Sequence, residues 1–116
     1  MVDLKDVNDD SILVFEYFTA SGVEDLSIVS EAVELIRSLV SDLKDEDTYV
    51  LLAKQFENIF DDFDFDIKVI VIDSLEDWIE KEAYIFDRAM FIAAENDNNL
   101  YNLTKLLESK DIKGRW

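Results

Sequence analysis

With 116 residues, 49% apolar and 12% aromatic, the chain is long enough for one domain with a real core and too short for two. A net charge of −17, from 28 acidic against 11 basic side chains, argues against nucleic acid and against an anionic membrane surface, both of which would be repelled. Cysteine and histidine are absent, which removes disulfides, zinc sites, thiol nucleophiles and imidazole-based triads.

Residues 1–10 are polar and acidic, unlike a signal peptide, and read as a flexible acidic arm before a domain at 11–116. No apolar run approaches the roughly 18 residues that span a bilayer. The cytoplasm is the expected compartment. The run 11–19, continuously apolar at 12–15, predicts a strand buried on both faces. Gly22 ends it in a loop, and Ser27 is the expected N-cap of an amphipathic helix over 28–43. That helix turns Ile28, Ala32, Leu35, Ile36, Leu39, Val40 and Leu43 inward. A charged connection at 44–47 leads to a strand at 48–53, a helical turn or two at 54–60, and an acid- and Phe-rich loop at 61–66. The run 67–72 is the cleanest strand. Ser74 caps a helix over 75–87, with Glu76 and Asp77 favoured at its positive end. A fourth strand at 89–94 and a last helix at 99–110, stopped near Gly114, complete the pattern.

Alternation of this kind predicts an α/β fold, a three-layer Rossmann-like domain. Its mainly parallel sheet has about four strands, with helices on both faces. Ligand sites in such sheets gather at the carboxyl ends of the strands, here 16–22, 53–54, 73–74 and 95–98. The exposed Trp116 reads as the end of a domain fragment cut from a longer chain.

The stretch after the first strand has one glycine and two acids, so neither GxGxxG nor a P-loop is present and no nucleotide site is expected in this domain alone. Asp73 superficially fits the phosphoacceptor slot of a receiver domain, but the acidic pair expected after strand one is replaced by Glu16-Tyr17, and Asp73 reads better as a helix-entry residue. The run Asp61-Asp-Phe-Asp-Phe-Asp66 lacks the Gly and Glu of a calcium loop and reads as a strand edge with one wet face. No catalytic or metal-ligating residue is assigned. Glu16 interrupts an apolar strand near its carboxyl end, where it either reaches into a cleft or faces solvent. Were it to serve a substrate, Glu16→Gln should lower turnover and leave stability nearly unchanged.

The stretch Val14-Phe-Glu-Tyr-Phe-Thr-Ala-Ser-Gly22, followed by Glu24-Asp-Leu-Ser-Ile28 and Glu31, resembles the opening of archaeal ATP-grasp ligases of the tyramine–glutamate ligase type, from methanofuran biosynthesis. The strand at 69–73 and Phe91-Ile-Ala-Ala-Glu-Asn96 are similar to that family's first domain as well. The resemblance implies a Rossmann-like pre-ATP-grasp domain that packs on the ATP-grasp domains of the same chain and walls the acceptor side. The whole enzymes use ATP and Mg²⁺ to convert a carboxylate to an acyl phosphate, which an amine attacks. ATP and Mg²⁺ would bind in the parent enzyme, not in this domain alone. By position, Glu16, Tyr17, Thr19, Ser21 and Gly22, with Glu95 and Asn96, would contact a small-molecule amine or amino-acid substrate. A homo-oligomer stays open. The alternatives are a stand-alone acidic α/β module that binds a protein partner and a degenerate receiver-like regulator.

Overall fold

Ser11–Glu16 forms β1 and is buried at every position, as an unbroken apolar run requires when both faces are covered. The computed structural model describes residues 4–22, 25–65, 67–92 and 113–115. After β1 come the one-turn helix α1 (Tyr17–Ser21), the long helix α2 (Leu26–Asp42), β2 (Asp47–Ala53) and β3 (Lys68–Ile72). Then follow α3 (Leu75–Glu82), β4 (Arg88–Ile92) and β5 (Lys113–Arg115). The strands form one sheet in the order β3-β2-β1-β4-β5, each neighbouring pair parallel. The parallel α/β architecture matches the expectation, with one strand more than foreseen.

Alternation of side chains sorts the core into two layers. Leu13, Phe15, Tyr49, Leu51, Ala89 and Phe91 point to one face, where Leu75, Ile79 and Phe86 cover them. Ile12, Val14, Val50 and Leu52 point to the other, against Ile36 and Val40 of α2 and Phe56 and Phe60 beyond β2. Phe15 and Phe91 stack with ring centroids 5.1 Å apart, joining β1 to β4. At the amino edge, Asp47 accepts hydrogen bonds from Ser11 Oγ and Lys68 Nζ, and Arg88 donates to the Asp10 carbonyl.

Several local expectations are corrected. The first strand stops at Glu16, because that side chain caps a helix beginning at Tyr17. Helix α2 starts at Leu26 with Asp25, not Ser27, as its N-cap. Leu35 is 43% exposed instead of turned into the core. Residues 61–65 form turns and no strand, although Phe63 and Phe65 still pack inward while Asp61, Asp62 and Asp64 stay wet. Helix α3 ends at Glu82 and passes into a 3-10 turn at Ala83–Ile85. Gly114 pairs with Ala89 in β5, so it is a strand residue and not a helix stop. The helix expected at 99–110 lies outside the described residues. Where an arm was read, Leu4–Asp6 forms a 3-10 turn, and Leu4 and Val7 pack on the core.

Candidate functional site

Strand β1 is flanked by β2 on one side and β4 on the other, so the strand order reverses between β1 and β4. Open parallel sheets bind ligands at the carboxyl ends of the strands beside such a switch point. Here those ends are Glu16 of β1 and Ile92 of β4, which are register partners.

Glu16 is only 2% exposed. Its Oε2 accepts the Phe18 N–H at 2.9 Å and its Oε1 accepts the Thr19 N–H at 2.8 Å. Two backbone donors of the first turn of α1 are thereby satisfied by a carboxylate, which the helix dipole also favours. Thr19 Oγ1 closes the motif by donating to the Glu16 carbonyl at 3.3 Å. The cap turns the chain sharply at the strand end, and Gly22 ends the turn at φ 85°, with its N–H on the Phe18 carbonyl at 3.0 Å. Only glycine takes that left-handed geometry without strain. Gln55 Nε2 holds the Gly22 carbonyl at 3.0 Å, tying the loop to the end of β2.

A cavity of about 520 Å³ opens on the α2 side of this edge, lined by Glu16, Phe18, Ser27, Ile28, Glu31, Ala32, Leu35 and Ile92. This falls within the range of small-molecule sites, roughly 300–1,000 Å³. Of the residues proposed from the sequence, Glu16 lines it. Tyr17 packs toward the α3 layer. Thr19 is fully buried beneath the turn. The Ser21 hydroxyl is buried with no hydrogen-bond partner among the described residues. Gly22 serves as the turn. Glu95 and Asn96 lie outside the described residues.

The sequence reading missed Phe18, Ser27, Ile28, Glu31 and Leu35. For the four on α2 the signal was the spacing 27, 28, 31, 35, which is one side of that helix adjoining its core stripe.

The N-terminal turn of α2, where a phosphate would sit, is occupied by Asp25. That carboxylate accepts from Ser27 Oγ at 2.8 Å and Ser27 N–H at 3.0 Å, and these bonds hold it below the ordinary carboxylate range. No Lys or Arg is among the cavity's described lining. Among the described residues no group of three or more Asp or Glu is arranged to hold a metal ion.

Fold and cavity together define the class: a Rossmann-like α/β domain with a cleft beside the switch point of its parallel sheet. No family model matches the chain. It is 34% identical over 110 residues to a tyramine–L-glutamate ligase of Methanocaldococcus fervens, covering 88% of this chain and 37% of the relative. The corresponding protein of Methanocaldococcus jannaschii is 33% identical over 110 residues, with 88% and 35% covered. Among solved structures, a protein from Archaeoglobus fulgidus assigned to the ATP-grasp superfamily matches with TM-score 0.62 at 26% identity, over 90% of this chain and 32% of that one. The chain is therefore related to a segment of ATP-grasp ligases of the tyramine–L-glutamate type, and it spans about a third of the length of the relatives it matches. No described helix is long and apolar enough to cross a membrane.

Proposed function

We propose that this chain is the N-terminal, substrate-side domain of a cytoplasmic ATP-dependent carboxylate–amine ligase and is not catalytic alone. The observation that carries the proposal is the pairing of kinship with geometry. The likeness to amide-forming ligases runs through nearly the whole chain, and the described lining of the cleft at its switch point is largely apolar and contains no Lys or Arg. ATP and Mg²⁺ belong, in this reading, to other domains of the parent enzyme, on which this domain packs. The contribution of this chain is to bind and orient the small-molecule substrate and to keep water from it, which raises the effective concentration of the attacking group.

The test is an exchange. The segment of the Methanocaldococcus fervens ligase that matches this chain is replaced by it, and ATP-dependent coupling of tyramine to L-glutamate is followed by mass spectrometry. A folded chimera, checked by circular dichroism, should form the amide, while this chain alone should form none. A folded chimera without product, beside an active parent, would refute the assignment.

A further inference from the structure

We propose that the free margin of β3 is a self-association surface, on which a second copy of this chain pairs its own β3 antiparallel about a two-fold axis at Ile70. This surface lies apart from the cleft, and its test is independent of the ligase reading.

Among the described residues β3 has one neighbouring strand, β2, so its other margin carries outward N–H and C=O groups with no strand opposite. Proteins usually guard such a margin with a proline, a bulge or an outward charge. None of these guards operates here. The chain contains no proline. Every residue of β3 keeps register with β2, from Lys68 opposite Tyr49 to Ile72 opposite Ala53, which leaves no bulge. The strand's one charge, Lys68, is drawn back toward β2, where its Nζ donates to Asp47 and lies 4.7 Å from the Tyr49 ring centroid.

Val71 points the same way. It is 44% exposed and belongs to neither core layer, although its branched side chain suits a covered strand. Val69, two positions earlier on the same face, is half-buried.

A two-fold axis through Ile70 accounts for both features. It sets Val69 opposite the partner's Val71, Ile70 opposite the partner's Ile70, and Lys68 opposite the partner's Ile72. Opposed residues of an antiparallel pair share a face, so each exposed Val71 is covered by a valine. Asp73 falls opposite the partner's Ile67, so no acid is set against an acid. Two chains that each carry −17 thus meet along Lys68–Ile72, a stretch with no acidic residue. Because the paired strands run in opposite directions, the two carboxyl edges point away from each other and both clefts stay open. A pairing this short buries less than the roughly 800 Å² per partner of a stable interface, which sets the Kd on the order of 100 µM.

The experiment is sedimentation equilibrium of the chain from about 10 µM to about 1 mM, a range that brackets that Kd. The mass should double across the range. Raising sodium chloride from about 100 mM to about 500 mM should tighten the dimer severalfold, because salt screens the repulsion between the copies. Val71→Lys should abolish association and leave the urea midpoint of the dilute monomer unchanged. Tyr84→Lys adds the same charge at a side chain 65% exposed and away from β3, and it should associate as the native chain does. In a mixture of ¹³C-labelled and unlabelled native chain, isotope-filtered NOEs should connect the methyl groups of Val69 and Val71 between copies. A monomer at every concentration would overturn the proposal and leave the margin to a foreign strand. Association that survives Val71→Lys, or a dimer without the Val69–Val71 NOEs, would overturn it as well.

Discussion

Glu16, a candidate ligand contact in the sequence, also serves as a structural cap. Its burial is tolerated because each oxygen receives a backbone N–H that would otherwise be orphaned. Glu16→Ala should therefore destabilise the fold by about 2 kcal/mol in urea denaturation, the combined order of a lost cap and two unsatisfied donors. Glu16→Gln, which turns an amide NH₂ toward one of those donors, should cost about half as much. Neither would be silent in stability, in contrast to what a purely substrate-facing glutamate predicts. Gly22→Ala, with a Cβ meeting Ala53 and Gln55 at 3.4 Å and φ at 85°, should lose about 1 kcal/mol by the same measurement. At the opposite edge, burial pushes the Asp47 carboxyl up, but hydrogen bonds from Lys68 and Ser11 outweigh it and hold the group below its ordinary value. A depressed carboxylate contributes stability above its unfolded pKa, near about 4, and loses it as pH falls through the folded value. The Asp47–Lys68 pair is correspondingly present at neutral pH. Comparing urea midpoints at pH 7 and pH 3 should show a smaller difference in Asp47→Asn than in the native chain. An equal difference would remove the pair from the acid limb.

Among the elements, strands β1 to β4 were legible because each is a short, nearly continuous apolar run, the pattern of a sheet covered on both faces. The helix caps were less so. Asp25 and Ser27 are both good cap residues two positions apart, and the choice between them is made by tertiary placement of the turn, which periodicity does not encode. Leu35 and Ile36 illustrate the same limit. Helical spacing puts both on the inward half of α2, but Ile36 is fully buried and Leu35 flanks the cleft. Ile36→Ala should accordingly cost about 3 kcal/mol, the lower middle of the core-truncation range, and Leu35→Ala under about 1 kcal/mol, in urea denaturation. Similar losses from both would mean that the cleft is packed shut. Strand β5 escaped notice because Lys113-Gly-Arg115 has no strand propensity of its own, and pairing with β4 alone defines it.

At the scale of the molecule, the charge of −17 is both a filter and a burden. It repels polyanions, and it loads the compact state with repulsion that salt screens. Raising sodium chloride from about 10 mM to about 500 mM should raise Tm, since the Debye length falls from about 30 Å to a few ångströms; a fall in Tm would mean that the paired charges outweigh the repulsion. The layer order and the carboxyl edge followed from β/α alternation, so the region of the cleft could be read in advance. Its lining could not. The sequence points to Glu16–Gly22 and to Glu95 and Asn96 at two strand ends, whereas the cavity's described lining comes from β1, α1, α2 and β4. In the proposed function this cleft faces the small-molecule substrate and not ATP. Steady-state kinetics of the chimera bearing Leu35→Arg test it most directly, because the substitution alters the cleft wall at a position that stability tolerates. The amine KM should rise about tenfold, the order expected from losing apolar contact and adding a bulky charged group, with the ATP KM unchanged. A shifted ATP KM with the amine KM unmoved would contradict it.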